Sequence, residues 1–537
     1  MWSSRQRTLE KLRSRWGKPR QAPFYPAITA YAESRARRHW HRLSPQTLSD
    51  IDIRDLFLHI DHTSSRIGQQ YLYDQLISPT DNTASLKKLD DQAGYFLNNR
   101  DQREKAQLLL TRLDSPDAIY VQLLLQDKLF TRPKWYRLAV LDTFIVVVWL
   151  LLSFFYPGLL TGLMLLMAVN LFSHYRNKNN TYRFIRSFPQ LNLLLDVTNK
   201  LISLGLPFDP TQAKAGASRL KTFQRRSAWL SFGETSGNDL ALVYYWLLEL
   251  LKALFLVEVH VFFALIRDLE KKRADIDTVF RYTASVDVAI SVASLRAGNL
   301  PTCTPEFTTK GLHVKDGYHP LIPDCIPNSL TIDAKGILIT GSNMSGKTTF
   351  LRSIGINTLL AQTIYTCFAA TYQAPPLKLY SSIRIDDSVL EGKSYYFEEV
   401  NVMGALIAAA QTVGSTNLYL LDEVFKGTNT VERIAAAGAI LSWLRKKGHF
   451  VIVSTHDIEL SGLLKEEYNL YHFEETILDD QLTFDHLLKP GPLKTRNAIR
   501  ILELAGYPEE ITREARQAAD IPFTPPPDGQ GYPATAP

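Results

Sequence analysis

Gly341-Ser-Asn-Met-Ser-Gly346-Lys347-Thr348 constrains this chain more than any other stretch. It has the spacing GxxxxGK[ST], follows the apolar run Ile337–Thr340 and precedes a helical pattern, Phe350–Ala361. A strand that turns through glycines into a helix N-terminus aims several main-chain N–H groups at one spot, and such a spot cradles phosphates. Lys347 is expected to reach the β- and γ-phosphates of ATP, and the Thr348 hydroxyl to ligate Mg²⁺. The candidate phosphate-binding residues are therefore Gly341, Ser342, Asn343, Met344, Ser345, Gly346, Lys347, Thr348 and Thr349. From Gly311 onward, short runs such as Gly336-Ile-Leu-Ile-Thr, Asn417-Leu-Tyr-Leu-Leu and His449-Phe-Val-Ile-Val-Ser alternate with helical patterns. That alternation predicts an α/β domain with a mainly parallel, buried sheet.

Two further strand ends carry polar residues. Leu418-Tyr-Leu-Leu runs into Asp422-Glu423, at the edge where sheets of this kind bind ligands. Asp422 is expected to hold Mg²⁺ through water, and Glu423 to orient and activate an attacking water. Phe450-Val-Ile-Val-Ser ends in Thr455-His456-Asp457. His456 at that edge can donate to the γ-phosphate and sense it; the plainer alternative is a structural histidine. The candidate catalytic residues are thus Glu423, Lys347 and His456. Ser394, ahead of a helical stretch, can be a simple N-cap. In a head-to-tail dimer the same serine and helix N-terminus can face the partner's γ-phosphate.

Upstream the grammar differs. A chain of 537 residues suggests about three domains at ~100–200 residues each. Net charge is +6 and unevenly spread: up to Arg42, Arg5, Arg7, Lys11, Arg13, Arg15, Lys18, Arg20, Arg35, Arg37, Arg38 and Arg42 face only Glu10 and Glu33. Such a block can meet nucleic acid or anionic lipid, or be a solvated helix face or frayed arm. Cys303, Cys325 and Cys367 are scattered and odd in number, which fits a reducing compartment and no disulfide framework. The N-terminus lacks the apolar core of a signal peptide.

Leu43 to about Asp127 reads as mostly helical. Leu138–Phe172 is almost continuously apolar, with Asp142 its one charge and Pro157-Gly158 a turn near its middle. The halves are roughly 14–19 residues each, so if helical the longer approaches the span of a ~30 Å hydrocarbon core and the shorter falls somewhat below it. Lys128, Arg132, Lys134 and Arg137 flank one end; His174, Arg176, Lys178, Arg183 and Arg186 flank the other. This reads as a transmembrane hairpin with both ends cytoplasmic; the alternative is a hairpin buried in a large helical domain. A second apolar stretch, Leu240–Ile266, carries Glu249, Lys252 and Glu258, so it reads as a long soluble helix continuing through Arg267–Ala274.

Together these motifs resemble one family, MutS, the ABC-type ATPase of DNA mismatch repair. Thr340-Gly-Ser-Asn343-Met-Ser-Gly-Lys-Thr-Thr-Phe-Leu-Arg352 is similar to its P-loop. Ser394–Val400 resembles its signature helix, and Leu421-Asp-Glu-Val-Phe-Lys-Gly427-Thr428-Asn429-Thr430 its Walker B and dimer-contact loop. Ser454-Thr-His456 is similar to its histidine switch. Phe484-Asp-His486, Gly491–Ile499 and Leu504–Pro508 resemble the end of that domain, and His319–Ile322 with Asn328 its entry. The resemblance implies an adenine contact for His486 and service to a partner's site for Ser394 and Gly427–Thr430. Upstream, Thr63–Pro79 and Ala284–Ala293 are similar to the helical core and to the segment leading into the ATPase.

There are departures. No mismatch-reading domain or Phe-x-Glu wedge in its usual setting is found, and roughly 45 residues before the core-like part are too few for that domain and a connector. No Smr domain follows. Ser342 and Ser345 stand where the family usually has Pro and Gly, and Val424-Phe425-Lys426 replaces Ile-Gly-Arg.

The expected fold class is α plus α/β. The expected order is a basic segment 1–44, an all-helical MutS-core-like domain 45–300 with the hairpin 138–173, an ABC-type P-loop ATPase domain 301–520 and a disordered Pro-rich tail 521–537. The expected activity is Mg-ATP hydrolysis in a homodimeric head coupled to DNA binding, at a cytoplasmic membrane if the hairpin spans it and in the cytoplasm if it does not. The alternatives are a membrane-anchored mechanical ATPase of MutS type that binds no DNA and, less fittingly, an ABC transporter subunit. One hairpin makes too little membrane domain for a transport pathway, and no LSGGQ-type signature is present.

Overall fold

The computed structural model describes residues 4–34, 40–125, 136–227, 251, 254–342, 345–384, 395–412, 414, 416–478, 481–493, 502–503 and 506–519. The tail 521–537 lies outside them. The chain divides into two compact units: Met1–Lys310 with His319–Pro323 and Gly355–Leu379, and Gly311–Tyr318 with Asp324–Ile354 and Tyr380–Pro537. The first is mostly helical and the second is α/β.

The first unit opens with α1 (Ser4–Arg15), α2 (Ala30–Glu33), α3 (Pro45–Asp50), α4 (Ile53–Ile60), α5 (Arg66–Leu76), α6 (Thr83–Asn98) and α7 (Arg100–Leu110). Small polar side chains set several of the starts. Ser44, Ser65 and Asn82 each accept from the main-chain N–H three residues on, which satisfies one orphan donor of the first turn. Then come α8 (Tyr136–Ser153), α9 (Leu160–Ser203), α10 (Thr211–Ser227), α11 (Val257–Lys271) and α12 (Arg273–Arg296). The spine is α12, buried along most of Ile276–Leu295 and packed against α5, α6, α7, α9 and α10.

The two upstream MutS-like stretches meet on this spine. The Asp287 carboxylate of α12 accepts from Ser64 N (2.8 Å), Ser65 N (2.8 Å) and Ser65 Oγ (2.6 Å), at the N-terminus of α5. Gly68 makes room for it, since a Cβ there would lie 2.2 Å from Asp287 Oδ2. Burial raises the Asp287 pKa to about 7.

The basic N-terminus is partly anchored. Arg13 makes two bonds to Glu104 of α7, at 2.9 and 2.8 Å, and Arg103 lies 3.6 Å from the Trp16 ring centroid. The Arg13 bond, joined by Arg100, holds the Glu104 carboxyl down at about 2. Arg5, Arg7, Lys11 and Arg15 stay exposed, so α1 is a helix with a solvated basic face rather than a frayed arm. Residues 35–39 lie outside the described residues.

Helices α8 and α9 form a hairpin around a short 3-10 turn, Pro157–Leu159. Trp149 Nε1 donates to Leu159 O at 2.8 Å, and Gly162 leaves space for that indole, which a Cβ would meet at 2.7 Å. Helix α9 does not stop near Phe172, where the apolar pattern ends, but runs to Ser203 with Pro189 inside it. No glycine interrupts that continuation, and the helix carries on through Pro189, its one local breaker. The second apolar stretch is interrupted where one continuous helix was expected: residues 251 and 254 are helical, and a separate helix follows. It begins after Leu256, whose φ is 48°, and ends at Lys271, with α12 starting separately at Arg273. Phe262, Phe263, Leu265, Ile266 and Leu269 bury it as expected. Residues 228–250 lie outside the described residues.

Strands β1 (Glu306–Phe307) and β5 (Thr371–Ala374) pair in parallel within the first unit. In the second, β2 (Leu312–Gly317) and β3 (Asn328–Ile332) pair antiparallel. Its main sheet has six strands in the order β12-β9-β4-β8-β7-β6. They are β4 (Gly336–Thr340), β6 (Lys378–Ser382), β7 (Asn417–Asp422), β8 (Phe450–Thr455), β9 (Tyr468–His472) and β12 (Lys489–Pro490). Strands β4, β7, β8 and β9 are parallel, and β12 runs antiparallel at the edge. A hairpin of β10 (Glu475–Leu478) and β11 (Gln481–Phe484) follows β9. The helices are α13 (Lys347–Ala361), α14 (Tyr395–Ala410), α15 (Thr430–Lys446), α16 (Ile458–Leu464) and α17 (Glu509–Ala519). Leu338, Met403, Leu406, Tyr419, Leu421, Leu441, Leu444, Val451 and Val453 form one core between sheet and helices. Each large side chain there contributes roughly 1.5–3 kcal/mol of burial.

Candidate nucleotide site

Strand register builds the site. Thr340 of β4 lies opposite Thr455 of β8, and Asp422 of β7 opposite Ser454. Three parallel strands therefore release the glycine loop, the acid pair and His456 at one carboxyl edge, the usual ligand edge of such sheets.

The loop after β4 depends on two glycines. Gly341 has φ 153° and Gly346 φ 112°, both in the region that side chains disfavour. A Cβ on Gly341 would also lie 2.8 Å from Phe473 O. Lys347 opens α13, and its buried Nζ donates to Gly341 O and Ser342 O, each at 2.8 Å. Burial lowers the Lys347 pKa, and the nearby Asp422, Glu423 and Glu475 carboxylates oppose that shift. Ser345 Oγ donates to Ser342 O at 2.8 Å, and Ser342 Oγ donates to the Glu475 carboxylate. The two departures from the usual Pro and Gly thus tie the loop to itself and to β10. Thr349 lies in the first turn of α13. Asn343 and Met344 lie outside the described residues.

Across the edge, Thr348 Oγ1 donates to Asp422 Oδ2 at 2.6 Å, and Ser454 Oγ donates to Asp422 Oδ1. A hydroxyl touching a carboxylate is the hard oxygen pair that Mg²⁺ takes, so these residues fit the metal. Glu423 is left-handed (φ 50°), and its N–H donates to Ser454 O at 2.9 Å. Its Oε1 lies 2.9 Å from His456 Nε2 and its Oε2 2.7 Å from Lys426 Nζ. The His456 bond, helped by Lys426, holds the Glu423 carboxyl down at about 2, so it is ionised at neutral pH. His456 Nε2 is also 3.4 Å from Lys347 Nζ. The structure therefore brings Lys347, Thr348, Asp422, Glu423 and His456 together.

The loop after the acid pair is held by a residue to which the sequence reading gave no role. Glu399 of α14 accepts from Lys426 N and Gly427 N, both at 3.0 Å. It is buried in the stripe of Met403, Leu406 and Ala410. An acid in an apolar stripe at helical spacing must find donors, and that was the available signal. Phe425, in place of the usual glycine, keeps a left-handed backbone (φ 61°) and packs its buried ring against Tyr396 of α14. Asn429 Oδ1 caps α15 by accepting from Glu432 N at 3.0 Å. Gly427, Asn429 and Thr430 are exposed and Thr428 is half-buried. Arg433 of α15 grips Asp457, beside His456, with two bonds of 2.9 and 2.6 Å. Ser394 lies outside the described residues. His486 (φ 52°) places Nδ1 3.1 Å from Ser345 O, so it flanks the loop, with Asn328 Nδ2 donating to His486 O at 2.9 Å.

Comparison with known proteins is specific. A family model described as MutS domain V matches residues 337–521, which hold every site residue above except Asn328. Over these residues the chain is similar to the MutS family. It is similar to DNA mismatch repair protein MutS 2 of Halobacterium salinarum, at 30% identity over 259 residues, 46% of this chain and 29% of that protein. A MutS of Thermus thermophilus is 30% identical over 264 residues, 48% of this chain and 32% of that one. A MutS of Lactobacillus delbrueckii subsp. bulgaricus is 33% identical over 254 residues, 45% of this chain and 29% of that one. The match spans about a third of the length of these MutS relatives.

Proposed function

We propose that this chain is a MutS-type ATPase that binds and hydrolyses Mg-ATP at the β4, β7 and β8 edge. The observation that carries this reading is the 2.6 Å contact of Thr348 with Asp422, beside Lys347 and Glu423. Lys347 and the glycine loop hold the phosphates. Thr348 and Asp422 hold Mg²⁺, which when bound neutralises phosphate charge. Glu423, kept ionised, orients the attacking water and takes its proton. His456, within reach of both Glu423 and Lys347, reports the γ-phosphate. The exposed loop Gly427–Thr430 and Ser394 serve the partner's site in a homodimeric head. His486 flanks the adenine. Glu423→Gln keeps shape and binding but removes the base, so Mg-ATP should bind normally while steady-state hydrolysis falls by at least ~100-fold. Unchanged hydrolysis would remove Glu423 from this role.

Coupling to DNA is part of the reading and rests on the family and on the exposed basic face of α1. DNA affinity should fall steeply with salt. No binding to duplex or branched DNA at low salt would leave the mechanical ATPase without DNA. One observation favours membrane attachment for either form. Among the described residues α8 alone is long and apolar enough to cross a membrane, and little of it is buried. At its tip Phe154, Phe155 and Tyr156 are 87%, 80% and 67% exposed. So large an apolar surface needs a covering, and the hairpin is assigned to a cytoplasmic membrane with the ATPase domain on the cytoplasmic side. The full chain should stay in a carbonate-washed membrane pellet; recovery in the supernatant would count against the assignment.

A further inference from the structure

We propose that Cys303 and Cys367 are a redox modification site that closes into a reversible disulfide within the helical unit. The two residues form an isolated antiparallel bridge. Cys303 N donates to Cys367 O and Cys367 N to Cys303 O, each at 2.9 Å. A pair that exchanges both bonds has Cα atoms about 5.5 Å apart, inside the ~4.4–6.8 Å that a disulfide spans. Both thiols are free.

The two sulfurs are not equivalent. Cys303 is half-buried, whereas Cys367 is fully buried and its Sγ donates to Asn357 O at 3.5 Å. The neighbouring Cys367 sulfur, with a bond from the Tyr372 main chain, holds the Cys303 thiol below its ordinary pKa. Burial pushes Cys367 well above its own. Cys303, the more accessible sulfur, is thus the one that meets an oxidant, and Cys367 is the resolving thiol.

With glutathione disulfide as oxidant the step balances. The Cys303 thiolate attacks one glutathione sulfur, breaks the S–S bond and releases the other glutathione as thiolate. Cys367 then loses its proton and attacks the Cys303 sulfur of the mixed disulfide, releasing the second glutathione. Two protein thiols are oxidised, one glutathione disulfide is reduced to two glutathiones, and the two protons end on them.

Hydrogen-bonded antiparallel partners hold their Cβ atoms near the wide end of about 4.5–5.5 Å, beyond the ~3.8 Å mean of disulfides. The segments must draw together to close the bond, which makes it readily reducible and suits a switch better than a permanent staple. The join reinforces an existing one. Arg296, at the end of α12, donates to Thr366 Oγ1 at 3.0 Å and Tyr365 O at 2.8 Å, beside Cys367. The covalent loop from 303 to 367 encloses the whole of 341–349.

The test is a redox titration of the purified full chain in mixtures of reduced and oxidised glutathione, quenched in acid, alkylated and mapped by peptide mass. The expected result is a Cys303–Cys367 linked peptide that rises with the oxidised fraction and disappears with dithiothreitol, while Cys325 is alkylated throughout. Cys367→Ser should instead accumulate a glutathione adduct on Cys303. Absence of the linked peptide at every ratio would overturn the proposal, as would a stable wild-type glutathione adduct that never closes or a linkage of Cys303 to Cys325.

Discussion

Phe425 shows two residue-scale forces in opposition. A left-handed non-glycine backbone costs about 1–2 kcal/mol, which glycine would relieve. The ring is buried in the core of the second unit and meets Tyr396. Loss of such a side chain costs roughly 3–5 kcal/mol. Packing wins, so Phe425→Gly should lower stability by about 2–3 kcal/mol, read as a fall in the denaturant midpoint. A more stable variant would mean that strain dominates. Most of the site was legible at this scale, because glycine spacing and acids at strand ends leave a local pattern. Glu399, Ser454 and Arg433 were harder to read. Their partners are main-chain N–H groups or side chains distant in sequence, and only Glu399, an acid within an apolar stripe, leaves a pattern to recognise.

Helix α12 makes the corresponding case for whole elements, since its Asp287 receives the N-terminus of α5. The Asp287 pKa, raised by burial to about 7 against an unfolded value near 4, means that the native state keeps a proton the unfolded state loses. Its contribution is complete below the unfolded value and is lost as pH rises through about 7. Across that window wild-type stability should fall by an amount on the order of 4 kcal/mol that Asp287→Asn lacks. The check is the difference between the two proteins in unfolding free energy from pH 4.5 to pH 8; parallel curves would mean that Asp287 is ionised in the fold. Element types followed their periodicity, whereas the end of α9 did not, because an apolar pattern marks where a surface changes and not where a helix stops. The break at Leu256 has no glycine or proline to announce it.

In the whole molecule, an α/β unit whose sequence matches MutS domain V is joined to a helical unit in which the apolar helix α8 is largely exposed. The α/β unit was legible because parallel strands are continuous apolar runs with ligand residues at their ends. The boundaries between units were not, since 355–379 groups with the helical unit although it follows the P-loop in the chain. Only three-dimensional packing decides that. The proposed binding of ATP by Lys347 and its loop is tested most directly by equilibrium titration of Mg-ATP into the full-length wild type and Lys347→Ala. Saturable binding by the wild type is expected, with an affinity at least ~100-fold weaker in the variant through loss of a charged contact to phosphate. Equal affinities would contradict it.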